Sequence, residues 1–115
     1  MRILYDPEGD VLDVIFDERL HRADKIAYEL RDGFILYVTV DSLKPIQLTV
    51  VNYQRLAQRP TFHFSGWKKL KTGERKRLLP VINSPVISAF LKLDSQTGYG
   101  HLVSLPMLET FSLAA

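Results

Sequence analysis

The first half of the chain alternates apolar and polar residues with a period of two, the pattern of β-strands that bury one face. Five segments show this pattern, at residues 2–5, 11–16, 25–31, 34–40 and 46–52. In the second segment Leu12 and Val14 share one face and Asp13 lies on the other, so a slip of one residue would bury a carboxylate. The residues predicted to face the core are Leu12, Val14, Phe16, Ile26, Tyr28, Leu30, Phe34, Leu36, Val38, Val40, Ile46, Leu48 and Val50. These segments predict a five-stranded antiparallel meander.

Two turns separate neighbouring strands. Pro7 presets its backbone for a turn and Gly9 tolerates a positive φ, so a hairpin is predicted between the first two strands. Asp32 and Gly33 form a two-residue hairpin signal that requires positive φ at both positions. We therefore expect the third and fourth strands to be adjacent.

The second half changes from a period of two to a spacing nearer that of a helix. Thr72 is predicted to cap a helix that begins near Gly73 and carries Leu78, Leu79 and Ile82 on its apolar side. A second helix is predicted with Ser84 as N-cap, Pro85 at its first position, and an apolar stripe of Val86, Ile87, Phe90 and Leu93. A short strand at 101–105 and a last helix from Pro106 follow. The predicted class is α+β, with the sheet of residues 1–59 packed against two or three short C-terminal helices within 60–115.

The first half also resembles a known family. The segments "YDPEGDVLDVIF", "IAYELRDGFILYV" and "IQLTVVN" are similar to short bacterial domains catalogued as domain of unknown function 2283. In place of a second acidic, Gly-containing turn before the last strand, this chain has "DSLKP" at residues 41–45. The family brings no established activity and no catalytic residues. Similar domains are sometimes encoded beside small toxin-like proteins, and the resemblance therefore implies an antitoxin-like binding role.

Length and composition suit one domain that spans residues 1–115. The chain is 46% hydrophobic and 24% charged, and no segment approaches the roughly 18 consecutive apolar residues that a membrane span requires. The chain contains no Cys, and its first residues lack the apolar centre of a signal peptide. We therefore expect a cytoplasmic protein with no membrane partner.

Positive charge is concentrated in the second half of the chain. Residues 1–59 hold 8 Lys or Arg and 10 Asp or Glu, whereas residues 60–115 hold 7 and 3. A basic segment is formed by Trp67, Lys68, Lys69, Lys71, Arg75, Lys76 and Arg77. Cations at a helix N-terminus oppose the helix dipole, so Arg75, Lys76 and Arg77 do not serve helix stability. The segment predicts nucleic-acid binding, with Trp67 stacked on a base, or else a solvated, solubilising surface.

Three apolar residues point away from the predicted core. Ile35, Tyr37 and Val51 lie on the opposite face of their strands and need a cover if helices pack on one side only. A second copy of the sheet would supply one and make a homodimer. The alternative cover is residues 60–67, through Phe62, Phe64 and Trp67.

The sequence offers little support for catalysis. The acidic residues Asp6, Glu8, Asp10, Asp13 and Asp17 suggest either a hard-cation site or a solvated turn, and a catalytic role would require Asp6, Glu8 and Asp10 to converge. His21, His63 and His101 lack metal-ligand spacing. There is no Cys nucleophile, nucleophile elbow or Gly-rich phosphate loop. We therefore expect a non-enzymatic protein without metal or cofactor, which acts through protein–protein interaction or alternatively binds nucleic acid.

Overall fold

The computed structural model describes residues 1–103 of the chain. Five antiparallel strands form the main sheet in the order β1-β2-β5-β4-β3. Their bounds are Arg2–Asp6 for β1, Val11–Ile15 for β2, Lys25–Arg31 for β3, Phe34–Thr39 for β4 and Pro45–Val51 for β5. The α+β class and the five-stranded antiparallel sheet are confirmed.

The order of these strands differs from the predicted meander. β2 pairs with β5 rather than with β3, so that Val14 lies opposite Leu48, and β5 is the central strand. The connection after β2 contains a 3₁₀ turn at Glu18–Leu20, where Oδ1 of Asp17 accepts the N–H of Arg19 at 3.0 Å. This turn leads the chain across the end of the sheet to the far edge, where β3 begins.

The hairpin between β3 and β4 is present with a different turn. Gly33 has a φ of 76°, but Asp32 is not in the positive-φ region. The register shifts between Glu29 and Arg31, so Arg31 lies opposite Phe34. The prediction of positive φ at both positions is therefore wrong, and the hairpin carries a β-bulge instead.

Helices and a second sheet make up residues 52–103. The helices are α1 (Tyr53–Ala57), α2 (Ser65–Lys69), α3 (Thr72–Ile82) and α4 (Pro85–Ser88). The strands β6 (Phe62–His63), β7 (Leu91–Leu93) and β8 (Tyr99–Leu102) form a small antiparallel sheet in the order β6-β8-β7. The helices therefore alternate with strands, and residues 60–103 are more than a helical cover. The helix predicted from Pro106 lies outside the described residues.

One apolar cluster joins the main sheet to the second half of the chain. The predicted inner face is buried or partly buried at every position except Val40, and Leu12, Val14, Leu36 and Leu48 are almost fully enclosed. Each such side chain contributes about 1.5–3 kcal/mol relative to an exposed one. Phe90 packs edge to face on Phe16, with ring centroids 5.8 Å apart.

Val40 is 48% exposed because β4 ends at Thr39 and Val40 lies in the turn that follows. Thr39 is buried, and its Oγ1 accepts the N–H of Lys44 at 3.0 Å. The predicted inward position of Val40 is therefore wrong, because the strand ends one residue earlier than predicted.

The predicted helices form, but their details differ. α3 is preceded by Lys71 without a side-chain cap, so the capping role predicted for Thr72 is wrong. Ser84 and Pro85 begin α4 as predicted, but this helix ends at Ser88 and the chain continues as strand β7. Because α4 is so short, Ile87 faces the core and Val86 is 46% exposed. The apolar stripe predicted through Val86 is wrong.

Gly66 sets the distance between the two layers. A Cβ atom at this position would lie 1.9 Å from the carbonyl oxygen of Glu29 on β3. Only a residue without a side chain lets α2 approach the backbone of β3 so closely. The small sheet and α2 are thereby held against the inner face of the main sheet.

Candidate functional site

The acidic turn between β1 and β2 is occupied by structural hydrogen bonds. Oδ1 of Asp10 accepts the hydroxyl of Tyr5 at 2.8 Å and the backbone N–H of Gln54 at 2.9 Å. The carbonyl of Asp10 also accepts the N–H of Tyr53 at 3.0 Å. Asn52, the residue that precedes α1, offers no side-chain cap, so Asp10 supplies the cap from a distant turn.

The side chain of Asp6 in this turn also makes a structural hydrogen bond. Oδ1 of Asp6 accepts the N–H of Glu8 at 3.1 Å, which is an ordinary turn bond. Within residues 1–103, no three His, Asp or Glu side chains form a group that could hold a metal ion. The convergence of Asp6, Glu8 and Asp10 that a catalytic role would require is not seen.

The environment of Asp10 also affects two phenols. Burial first, and then the hydrogen bond to Asp10, raise the pKa of Tyr5 to about 12. Burial and the charge of Asp10 also raise the pKa of Tyr53. The rings of Tyr5 and Tyr53 meet edge to face with centroids 6.0 Å apart. This contact joins the first hairpin to α1.

The outer face, defined as the face of the main sheet turned away from the helices, carries the predicted interface residues. Ile35 and Tyr37 on β4 are half-buried, and Val51 on β5 is 36% exposed. Phe62, Phe64 and Trp67 do not cover this face, because all three are buried on the inner side, where Phe64 packs edge to face on Phe34. The cover predicted from residues 60–67 is therefore wrong.

The centre of the outer face is polar but internally satisfied. Oδ1 of Asp13 accepts the hydroxyl of Thr49 at 2.5 Å and the side-chain amide of Gln47 at 3.0 Å. These residues lie on adjacent strands, with Asp13 directly opposite Thr49. The Asp13 carboxylate already accepts two hydrogen bonds. A partner that covers it therefore pays a smaller desolvation free energy than it would for an unbonded carboxylate.

Charges lie in an ordered way along the two edge strands of the outer face. Strand register places Arg2 on β1 and Lys25 on β3 toward one end of the sheet, and Asp6 and Glu29 toward the other. Arg2 also makes an exposed ion pair with Glu18 at 3.4 Å, which is worth little. The outer face is therefore positive toward one end and negative toward the other.

The basic segment falls into two parts. Trp67 is 1% exposed, and its indole N–H donates to the carbonyl of Ser95 at 3.1 Å. The role predicted for Trp67, stacking on a base, is therefore wrong, because the ring helps to anchor α2 in the core. Nζ of Lys68 donates to the carbonyl of Gln96 at 2.8 Å and is likewise engaged with the small sheet.

The remaining cations of the segment lie at and around the start of α3. They are Lys69, Lys71, Arg75, Lys76 and Arg77. Within residues 1–103, none of them has a carboxylate within 4.0 Å, since the ion pairs found there involve Arg2 and Arg19. The five side chains form a positively charged patch that, among the described residues, makes no ion pair.

The small sheet presents a second set of polar and aromatic side chains. Lys92 lies directly opposite His101, and His63 lies directly opposite Tyr99. These four residues share the small-sheet face, which is turned away from the buried Phe62, Leu91 and Leu102. The rings of His63 and Tyr99 are stacked at an angle of 43° with centroids 4.8 Å apart.

A groove of about 540 Å³ runs beside this face. Its lining includes Thr61, Asn83, Ser88, Lys92, Tyr99 and His101. The groove also contains Asp94, but Oδ1 of Asp94 accepts the backbone N–H groups of Gln96 at 2.9 Å and Thr97 at 3.3 Å. These bonds hold the pKa of Asp94 below its usual value. The carboxylate is thus tied into the turn before β8.

Comparisons with known proteins add no relative. No protein-family model matches the chain, and neither the curated proteins nor the solved structures include a match. The resemblance of the first half to the domain of unknown function 2283 family stays a prediction.

Sequence reasoning missed the small-sheet face. The sequence shows only that His63 and His101 lack metal-ligand spacing, whereas strand pairing brings both together with Tyr99. The available signal was the alternation around Gly100, with Tyr99 and His101 exposed on either side of a buried glycine. Gly98, with a φ of 79°, marks the turn before this strand.

Proposed function

We propose that the protein acts by protein–protein association through the outer face of the main sheet, as a homodimer. The observation that carries the proposal is that, within residues 1–103, α1 to α4 and the small sheet pack on the inner face, while Ile35, Tyr37 and Val51 stay partly exposed on the other. A non-catalytic role agrees with the use of the Asp10 carboxylate as a helix cap.

The charges of the outer face favour a second copy as the partner. A two-fold axis that runs across the strands would bring the positive end, with Arg2 and Lys25, over the negative end of the other copy. Such a face is complementary to itself, and charge complementarity fixes register and orientation more than it adds affinity. Burial of Ile35 and Tyr37 supplies the apolar contribution.

The test is the mass of the full chain in solution at micromolar concentration, by light scattering or sedimentation. A dimer is expected, and it should weaken with added salt because its charged ends are exposed. A strict monomer at that concentration would contradict the proposal. If the monomer instead binds a small protein encoded beside its gene, the partner is that protein, as the family resemblance implies.

A second candidate function is nucleic-acid binding through the basic segment. The specific observation in its favour is that Lys69, Lys71, Arg75, Lys76 and Arg77 have no carboxylate partner among residues 1–103. Five phosphate contacts would give a slope of log affinity against log salt of about −4. Binding of labelled DNA or RNA that does not respond to salt would contradict this candidate.

We further propose a cytoplasmic location, which rests on the absence of Cys from the sequence. Within residues 1–103, no helix has both the length and the apolar character needed to cross a membrane.

A further inference from the structure

We propose that the small-sheet face binds a single-stranded nucleic acid by stacking an unpaired base on Tyr99, beside the groove. The inference rests on the second candidate function and names the class of nucleic acid and the site. In this proposal the residue that stacks on a base is Tyr99, which lies on the surface, and not Trp67, which is buried.

The first step concerns the ring itself. Tyr99 is 52% exposed and is braced from one side by His63. A rigid, exposed ring on a small antiparallel sheet is a platform on which a base can stack. The bases of a duplex are already stacked on one another, so this platform selects single strands.

The second step concerns charge around the ring. Lys92 and His101 are opposite each other and next to Tyr99 on the same face, and both are exposed. They supply N–H donors for phosphate oxygens. Among residues 1–103 no ion pair joins Asp94 to Lys92, and Oδ1 of Asp94 accepts backbone N–H groups of its own turn.

The third step connects the platform to the basic segment. A Cβ atom at Gly98 would lie 2.7 Å from Cγ of Lys68 and 3.0 Å from Nε2 of His63, so these groups pack together at the start of β8. Lys68 is followed directly by Lys69, the first cation of the patch at α3. A strand stacked on Tyr99 can therefore extend its phosphates toward α3.

The fourth step concerns the groove. Its volume of about 540 Å³ falls in the range of small-molecule sites and can accept a nucleoside. Thr61, Asn83 and Ser88 in its lining offer hydroxyl and amide groups, which can both donate to and accept from the edge of a base. Stacking then supplies affinity, and these groups supply contacts to the base edge.

The experiment measures binding of labelled oligonucleotides of about 12 residues by fluorescence anisotropy. Three probes are compared: oligo-uridine RNA, oligo-thymidine DNA, and a duplex of mixed sequence. Single strands of either sugar are expected to bind more tightly than the duplex, and tighter binding of RNA would indicate a contact to the 2′-hydroxyl. A duplex that binds as tightly as the single strands would overturn the stacking site.

Variants of one residue separate stacking from charge. Tyr99→Val keeps a β-branched side chain suited to the strand but removes the ring, and should weaken single-strand binding roughly tenfold or more. Tyr99→Phe keeps the ring and should bind as the natural chain does, so it is the matched control. The emission of the buried Trp67 reports whether each variant is folded.

A measurement on the unmodified sequence removes the dependence on any variant. A single strand that carries a photoreactive halogenated uracil should crosslink to Tyr99 or His63, as mapped by mass spectrometry. Crosslinks confined to α3, or single-strand binding unchanged in Tyr99→Val, would show that Tyr99 is not the stacking site. Either result would still allow binding through the basic segment. Absence of binding to all three probes would reject both this site and the second candidate function.

Discussion

Asp10 accepts the hydroxyl of Tyr5 at 2.8 Å, and the same oxygen accepts the backbone N–H of Gln54. One carboxylate thus closes the first hairpin and caps a helix that begins more than forty residues later. Asp10 has a φ of 54°, a conformation that Asp tolerates better than most residues. The acidic turn is therefore a structural joint between two parts of the chain.

Replacement of Asp10 by Ala should destabilise the fold by about 2 kcal/mol, because a charged acceptor and a helix cap are lost together. Asp10→Asn should cost less, since Asn tolerates the same backbone and retains a carbonyl oxygen. Urea unfolding measures both. The control is Asp24→Ala in the exposed loop before β3. Equal losses for Asp10→Ala and Asp24→Ala would show that the joint contributes nothing.

Stability should fall at alkaline pH. The pKa of Tyr5 is raised from 10.0 to about 12 in the folded protein, so between these values the unfolded chain loses this proton and the folded chain keeps it. The stabilisation is complete below pH 10 and disappears as pH rises to about 12. Tyr5→Phe should reduce the loss of stability per pH unit. Part of that loss should remain, because the pKa of Tyr53 is also raised. Urea unfolding midpoints measured across this pH range test the assignment. An identical pH dependence of the midpoint in the original chain and in Tyr5→Phe would refute it.

Lysine substitutions should separate the proposed dimer from the fold. Ile35→Lys and Val51→Lys place a cation on the outer face, so each should yield a folded monomer whose unfolding midpoint falls only by the stabilisation that dimerisation adds. The matched control is Val86→Lys, since Val86 is an exposed apolar residue on α4. Light scattering gives the mass. Dissociation by Val86→Lys, or persistence of the dimer in both outer-face variants, would place the interface elsewhere.

Two double variants that lose the same amount of positive charge test the basic segment. Lys76→Ala with Arg77→Ala should weaken nucleic-acid binding and reduce the salt slope by about 2, because each lost phosphate contact removes close to one unit. Arg22→Ala with Lys44→Ala removes the same charge from exposed loops of the main sheet. If both double variants bind equally well, the overall charge of the protein governs binding and α3 does not.

Two glycines should respond in opposite directions to the same substitution. Gly66→Ala should be strongly destabilising, because the new Cβ would overlap the carbonyl oxygen of Glu29. Gly73→Ala, at the start of α3, has nothing within 4 Å and should stabilise by up to about 1 kcal/mol through helix propensity. Thermal unfolding compares the two. A neutral Gly66→Ala variant would show that α2 and β3 can separate freely.

The strands of the main sheet could be predicted because burial of one face imposes a period of two. The face assignments of Leu12, Val14, Leu36 and Leu48 follow from that alternation and are confirmed. The alternation fails at the end of β4, where Thr39 is buried and its Oγ1 accepts the N–H of Lys44.

Strand order and the small sheet could not be predicted for a different reason. The pairing of β2 with β5 depends on contacts between distant residues, which a local pattern does not encode. The strands β6 and β7 are only two and three residues long, too short to show a period. Trp67 next to Lys68 has the composition of a binding segment, but burial of the indole is decided by packing of α2.

The pairing of β2 with β5 also affects when the first hairpin gains its neighbouring strand. Leu12 meets Val50, so the hairpin of β1 and β2 leaves the ribosome before the strand that completes it has been made. The free edge of β2 therefore has no partner strand until β5 has been synthesised. The sheet is closed by a long-range contact between its first hairpin and its last strand.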